Sequence, residues 1–232
     1  MRSIYNNGTY LNNHKDWHLN DSNWKANKIK AIFDSNGLTP KTISEIGCGA
    51  GGILLSLNEK IKDCRFTGYE ISTDAFDICS KKSHKNVNFI FDNGTNKTND
   101  KNDVVLVIDV IEHIENYLDF LRNLKNSDLY TNFVFHIPLD MSALSVLRGS
   151  PIINSRVDSG HIHYFTKDIA LEALKECNFE IIEWRYTYSS IEINYPTWTS
   201  KLLKFPRRLL YKLNPNLAVR ALGGASLMVL AK

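Results

Sequence analysis

The spacing between hydrophobic residues changes repeatedly along the chain. Short apolar runs alternate with longer segments in which apolar residues recur every three or four positions. The runs are typical of buried strands and the segments of amphipathic helices. Predicted strands cover Thr42–Ile46, Phe66–Glu70, Val87–Phe91, Val104–Asp109, Asn132–Ile137, Phe179–Tyr188 and Ala225–Ala231.

Helices are predicted between most of these strands. They cover Trp24–Asn36, Gly51–Asn58, Thr73–Lys82, Asn116–Lys125 and Thr166–Cys177. Ser72 or Thr73, and Thr166, are the predicted N-caps. This alternation indicates an α/β fold, a Rossmann-like parallel sheet with helices on both faces. Residues 139–164 are expected to form a long connection.

A glycine-rich turn follows the first predicted strand. Glycine allows a tight turn and a close approach to a ligand, and the next helix presents its free N–H groups there. Gly47, Gly49 and Gly52 satisfy the G-x-G-x-x-G pattern of dinucleotide binding. Glu45, Gly47, Gly49 and Gly51 satisfy the E/D-x-G-x-G-x-G pattern of S-adenosylmethionine (SAM) binding. The turn alone leaves both cofactors open.

Acidic residues around the turn favour SAM. Glu45 would place a negative charge beside the ligand, which suits an ammonium and a sulfonium better than a pyrophosphate. Asp92 ends the third strand and would accept a hydrogen bond from an adenine amine. Glu70 suits the ribose hydroxyls of either cofactor. A dehydrogenase also needs a larger catalytic domain than the chain provides after residue 165, but an NAD-dependent oxidoreductase stays the alternative.

Several motifs in order resemble the class I SAM-dependent methyltransferases. They are the glycine turn, Gly68-Tyr-Glu-Ile-Ser72 and Asp109-Val-Ile-Glu-His-Ile114. The segments 160–166 and 171–179 are similar to the branch acting on quinones, small metabolites and glycan precursors. This resemblance implies a seven-stranded sheet whose last strand is antiparallel. The chain itself indicates an insertion, residues 189–224, before that strand.

The resemblance also implies a set of cofactor contacts. Residues assigned to the methionine part are Glu45, Gly47, Cys48, Gly49, Asp109 and Val110. Residues assigned to the adenosine part are Glu70, Ile71, Asp92 and Asn93. Glu45 would lie near the amino group and Glu70 would hold the ribose. The sequence Asp92-Asn93-Gly94 departs from the family, which more often has an apolar or small residue after the acid.

Histidines are the candidates for acid–base chemistry. A hydroxyl nucleophile needs a proton acceptor, and a histidine near neutral pKa suits that role. His161 and His163 are two residues apart, so an extended backbone would place both on one side. We predict that one of this pair is the base or orients the substrate, with His113 second. His113 packing the next helix is the alternative, and His136 is predicted to be a satisfied core histidine.

No metal site and no disulfide are predicted. His161, His163, Asp158 and Asp140 offer ligand atoms, but their spacing is not a recognised ligand set. The four cysteines are scattered and form no C-x-x-C motif.

Composition and motifs together limit the class of molecule that can be the methyl acceptor. The chain has 232 residues, of which 43% are hydrophobic and 23% charged, and its net charge of +3 does not indicate a nucleic-acid partner. The fifth strand ends His136-Ile-Pro-Leu139, without the N/D-P-P-Y/F motif that holds a flipped base. The expected acceptor is a hydroxyl of a sugar or glycan precursor, as in capsule or lipopolysaccharide biosynthesis. A quinone or a small amine is the alternative, and a non-catalytic SAM-fold binding protein is the rival of another class.

Four regions are expected along the chain. Residues 1–23 are a polar and aromatic lid, 24–188 the SAM-binding core, 189–224 a basic and aromatic cap, and 225–232 the final strand. Within the cap, 197–213 alternates basic and apolar groups. It predicts a phosphate-binding cap or a peripheral membrane contact, with a solvated amphipathic helix as the simpler alternative. No signal peptide or spanning segment is seen, so a cytoplasmic protein is expected.

Overall fold

The computed structural model describes residues 19–83, 85–95, 101–192 and 207–232. The strands are β1 Thr42–Ile46, β2 Arg65–Glu70, β3 Val87–Phe91, β4 Asn102–Ile108, β5 Tyr130–Pro138, β6 Ile181–Thr187 and β7 Ser226–Ala231. The helices are α1 Leu19–Ser35, α2 Gly52–Lys60, α3 Thr73–Cys79, α4 Tyr117–Asn126, α5 Ala143–Arg148, α6 Ser150–Asn154, α7 Lys167–Glu176, α8 Ser189–Glu192 and α9 Pro215–Leu222. A further helical segment covers 207–213.

The strands form one seven-stranded sheet in the order β3-β2-β1-β4-β5-β7-β6. The strands from β3 to β5 in this order are mutually parallel, and β7 is antiparallel to both β5 and β6. This confirms the predicted sheet with its antiparallel last strand. The carboxyl ends of the parallel strands meet at one edge, where ligands of such sheets bind.

Helices cover both faces of the sheet, as predicted. Val105 and Val107 of β4 pack on one face in a cluster that contains Leu121 of α4. Leu106 of β4 packs on the other face in a cluster that contains Ile32 of α1. Because successive side chains of a strand point to opposite faces, a strand buried on both faces is apolar throughout. The long apolar run of β4 is thereby explained.

The predicted helix caps are confirmed. Ser72 accepts a hydrogen bond from the N–H of Ala75 at 3.4 Å, and Thr166 accepts one from the N–H of Ile169 at 3.3 Å. The observed bounds of two helices differ from the predicted ones. Helix α1 begins at Leu19 and crosses the boundary predicted near residue 23, and α3 ends in a 3-10 turn over Ser80–Lys82.

The prediction that residues 139–164 form a long loop was wrong. This segment contains α5, α6 and a π-helical turn at Ser155–Ser159. Helices α5 and α6 meet at Gly149, whose φ of 66° ends one helix and begins the other. Val146 and Leu147 are 57% and 84% exposed. Because these helices bury no continuous apolar face, they lack the period from which helices are predicted.

The insertion between β6 and β7 is helical where it is described. Tyr211 is buried and packs on Tyr188 with ring centroids 4.6 Å apart, whereas Leu209 and Leu213 are exposed. Most of the segment 197–213 lies outside the described residues, as do residues 1–18 of the predicted lid. The membrane contact, the phosphate cap and the lid therefore stay predictions. No helix in the described ranges is both long and apolar enough to span a membrane.

Candidate active site

The glycine turn is fixed to the neighbouring strand by its backbone. The N–H groups of Gly47 and Cys48 both donate to the carbonyl of Tyr69, at 2.9 and 3.1 Å. Gly51 has a φ of 77°, and a Cβ there would lie 2.4 Å from Cζ of Phe89. A side chain is excluded at this position by conformation and by space. The turn therefore presents bare backbone at the carboxyl end of β1.

Glu70 organises the same turn from the end of β2. Its carboxylate accepts hydrogen bonds from the backbone N–H groups of Gly49, Ile71 and Ser72, at 2.7, 2.8 and 2.7 Å. Burial raises the pKa of Glu70, although these three bonds oppose that rise. Ile71 beside it is 37% exposed and offers an apolar surface at the sheet edge. The predicted ribose and adenine roles are compatible with this placement and stay predictions.

Asp92 and Asn93 shape the loop after β3. Asp92 accepts from the N–H of Gly94 at 2.8 Å, and Asn93 accepts from the N–H of Thr95 at 3.0 Å. Such contacts two residues ahead form Asx-turns. A Cβ on Gly94 would lie 2.9 Å from a side-chain carbon of Ile46, so this loop folds back over the end of β1. The sequence Asp92-Asn93-Gly94, which departs from the family pattern, thus forms a tightly packed turn.

Glu45 carries a buried oxygen that has no partner. The residue is 2% exposed, and its Oε2 makes no hydrogen bond within the described part of the chain. Burial raises the pKa of Glu45 well above its usual range, while the charge of Lys25 lowers it. A buried polar atom in this state is costly unless a ligand satisfies it. Glu45 is therefore prepared for a cationic or hydrogen-bond-donating partner.

Asp109 is the centre of a partly buried charge network, in which Lys25 and His136 are the buried members. Its carboxylate contacts Nζ of Lys25 at 2.8 Å and Nδ1 of His136 at 2.6 Å. Lys25 also pairs with Asp21 at 3.0 Å, and Nε2 of His136 lies 2.8 Å from the hydroxyl of Thr187. Burial opposes the charged carboxylate, but His136 and Lys25 outweigh it and hold the pKa of Asp109 well below its usual range. His136 is confirmed as a satisfied core histidine.

Val110, the other residue assigned to the methionine end, borders the glycine turn. A Cβ added to Gly47 would lie 3.0 Å from Cγ2 of Val110. The ends of β1 and β4 are therefore in direct contact where the methionine part is predicted to bind.

Glu112, His113 and His161 form a second group beyond the end of β4, which we call the histidine–glutamate cluster. The ligand atoms of these three side chains lie within 4.8 Å of one another. The rings of His113 and His161 have centroids 4.9 Å apart, and Nδ1 of His161 lies 2.5 Å from Oδ2 of Asp140. Burial, and next the nearby His161, lower the pKa of His113 to about 4, so its imidazole is neutral at pH 7.

His163 does not join this cluster. Its Nε2 donates to the carbonyl oxygens of Ile114 and Glu115, at 2.9 and 3.1 Å, and its ring packs on Tyr117. Residues 160–166 form no strand, and the two histidines contact different groups, so the alternation expected for an extended backbone does not bring both to the cluster. His163 holds the segment after β4, whereas His161 faces Asp140 and the cluster.

An open cavity of about 510 Å³ borders the cluster at His161 and is also lined by Asp140, the partner of His161. Its polar lining includes Arg148 and Arg207. Five serines line it as well: Ser145, Ser155, Ser159, Ser189 and Ser226. Its size is that of a small-molecule site, and its two arginines suit an anionic group.

A family model described as a methyltransferase domain matches residues 17–183. The chain belongs to this family and is a class I SAM-dependent methyltransferase, as its motifs predicted. The match decides between the two glycine motifs in favour of SAM. Comparison with curated proteins finds no match.

Solved methyltransferases share the fold. Magnesium protoporphyrin IX methyltransferase from Synechocystis PCC 6803, solved with bound SAH, has a TM-score of 0.58 and 15% identity over 90% of this chain and 82% of its own. Plantazolicin methyltransferase BamL, in complex with a triazolic desmethylPZN analog and SAH, has a TM-score of 0.59 and 16% identity over 96% and 87%. Cyclopropane synthase MmaA2 from Mycobacterium tuberculosis has a TM-score of 0.57 and 15% identity over 88% and 84%.

Lys25 and Glu112 are site residues that the sequence did not single out. Lys25 stands four residues after Asp21, the spacing of an ion pair on a helix, and next to the buried Ala26, which together are a signal for a buried cation. Glu112 lies inside a motif that was recognised, but the motif does not indicate that its carboxylate points inward.

Replacing Asp109 by Asn is expected to lower the melting temperature at pH 7 by about 5 °C or more, because two charged hydrogen bonds are weakened. The folded pKa of Asp109 is lowered, so its carboxylate stabilises the fold above the ordinary value of 3.8. That contribution disappears as the pH falls through the lower folded value. Thermal unfolding from pH 7 to pH 2 should therefore show a constant penalty for D109N above about pH 4 and a penalty that shrinks as the pH falls below it.

The matched control is Asp77→Asn, at an exposed position of α3. It should leave the melting temperature unchanged. A penalty for D109N of the same size at every pH would contradict the charge network.

Proposed function

We propose that this methyltransferase methylates a hydroxyl oxygen of a small, polar and anionic acceptor, a sugar or glycan precursor. The cavity beside His161 is the observation that carries this proposal. Its serines suit an acceptor with several hydroxyl groups, and Arg148 and Arg207 suit a phosphate or carboxylate on it. A quinone offers neither an anionic group nor many hydroxyls, and a small amine would be repelled by the arginines. Both are the weaker alternatives.

The residues at the end of β1 fit the cofactor. The unpartnered oxygen of Glu45 suits the ammonium group, and the bare turn at Gly47 and Gly49 admits a ligand against the backbone. Exposed Ile71 offers an apolar contact for the adenine, next to the carboxylate of Glu70. When bound, SAM supplies an electrophilic methyl group on its sulfonium.

His161 is assigned to the activation of the acceptor hydroxyl. It is the histidine that lines the cavity and also belongs to the histidine–glutamate cluster. Asp140 accepts the Nδ1 proton of His161 and so fixes its tautomer, leaving Nε2 available to the site. Correct positioning of acceptor and cofactor at this edge of the sheet supplies much of the remaining rate enhancement. His113 supports His161 from within the cluster.

Glu45→Gln is expected to weaken SAM binding about tenfold, since a neutral amide cannot form a charged pair with an ammonium. The amide has the shape of the carboxyl group, so the melting temperature of the unliganded protein should not fall. Isothermal titration with SAM measures the change. Glu59→Gln, at an exposed position of α2, is the control and should bind as wild type does. Equal affinities for E45Q and wild type would remove Glu45 from the cofactor site.

Turnover on a panel of nucleotide-sugars, phospho-amines and quinols tests the proposed function, with S-adenosylhomocysteine release as the readout. We expect turnover on an anionic sugar and a loss of about 100-fold or more in kcat for His161→Gln. His163→Gln should change kcat by less than about tenfold, because His163 contacts backbone carbonyls outside the cavity.

Unchanged SAM affinity in both variants shows that the cofactor site is intact. Turnover only on quinols or amines would contradict the proposed acceptor. Equal losses in the two histidine variants would contradict the role of His161.

A further inference from the structure

The histidine–glutamate cluster contains a buried acid that nothing in the described chain satisfies. Glu112 is 1% exposed, and neither of its carboxylate oxygens makes a hydrogen bond to any described residue. Among the described residues, the basic atom closest to it is Nε2 of His113, which lies 3.8 Å from Oε1 and is too far for a hydrogen bond. Buried polar groups are almost always partnered, so a carboxylate with two open oxygens points to a missing cation.

Each histidine of the cluster is fixed by a hydrogen bond through one of its ring nitrogens. Nδ1 of His161 lies 2.5 Å from Asp140, and a ring nitrogen of His113 hydrogen-bonds the carbonyl of Gly160. Each imidazole therefore has one nitrogen anchored to an oxygen acceptor. This is the outer-shell arrangement of metal-binding histidines, in which the anchored N–H fixes the ring and the other nitrogen binds the ion.

Backbone hydrogen bonds connect the two chain segments that carry the cluster. The N–H groups of Ile162 and His163 both donate to the carbonyl of Glu112, at 2.9 and 3.1 Å. The segment that carries His161 is thus tied to the segment that carries Glu112 and His113. The three ligand atoms, which lie within 4.8 Å of one another, do not depend on a loop that stands alone.

We propose that Glu112, His113 and His161 bind a divalent transition-metal ion. Two imidazoles and one carboxylate suit Mn²⁺, Fe²⁺, Co²⁺ or Zn²⁺ better than Mg²⁺, which prefers oxygen ligands and keeps its waters. Three protein ligands on one side leave coordination positions open for another molecule. His161 and Asp140 also line the cavity, so the open positions face the place where the acceptor is proposed to bind.

The ion would activate the acceptor. A hydroxyl bound to a divalent cation has a lowered pKa, so its O–H bond breaks with the proton passing to water in the open cavity and the oxygen stays on the ion. In this role His161 acts as a ligand and not as the proton acceptor itself. The catalytic part of the inference rests on the proposed function, whereas metal binding does not.

Titration of metal-free protein with Co²⁺ is the test. The protein is freed of metal with a chelator, the chelator is removed, and Co²⁺ binding is followed by calorimetry and by visible absorption. We expect one ion per chain. We expect binding at least about tenfold weaker in Glu112→Gln and in His161→Gln, because each removes a ligand.

Glu115→Gln is the matched control, since Glu115 is exposed three residues from Glu112. It should bind Co²⁺ as wild type does, and unchanged SAM affinity in all variants shows that they are folded. Absence of Co²⁺ binding in wild type, or equal binding in E112Q and wild type, would overturn the proposal.

Methyl transfer separates this inference from the proposed function. Co²⁺ binding that depends on Glu112 supports the metal site even if no anionic sugar is methylated, and the proposed function alone then fails. Transfer at the full rate by metal-free protein would overturn the catalytic role of the ion while leaving the proposed acceptor intact.

Discussion

The carboxylate of Asp109 joins the parts of the molecule that meet at the active edge of the sheet. It stands just after β4 and pairs with Lys25 of α1 and with His136 of β5, and His136 reaches Thr187 of β6. Asp109 has a φ of 54°, a conformation that costs a non-glycine residue energy and is retained only where the surroundings fix it. The direction in which the chain leaves β4 depends on this network.

Two buried carboxyl groups near Asp109 have oxygens without a hydrogen-bond partner among the described residues. Glu45 is on β1 next to the glycine turn, and Glu112 follows β4 next to the cavity. Lys25 and His136 already pair with Asp109, so the other two acids are the candidates for binding a cation. One suits the ammonium of the cofactor and the other suits a metal ion. Because the ends of β1 and β4 are adjacent in the sheet, the two sites are neighbours.

Features that depend on local sequence were predictable. The bounds of β1 and β3, the caps at Ser72 and Thr166 and the antiparallel last strand follow from strand periodicity, cap chemistry and the family motifs. Features that depend on distant contacts were not. The ion pair between Lys25 and Asp109 joins residues far apart in sequence, and no local period reports it.

The candidate site divides in the same way. The glycine turn and Glu70 were recognisable from spacing. The separation of His161 from His163 was not, because alternation applies only to extended backbone. The inward orientation of Glu112 is likewise set by the turn after β4 and by the segment that donates to its carbonyl.

A thermal-shift titration with SAM and with NAD tests most directly that Glu45 and the glycine turn form a SAM site. A ligand that binds the folded protein raises its melting temperature by mass action, about 2.7 kcal/mol of stabilisation at 100 times its dissociation constant. SAM should produce a saturable rise and NAD none. A rise with NAD and none with SAM would contradict the account of this edge of the sheet.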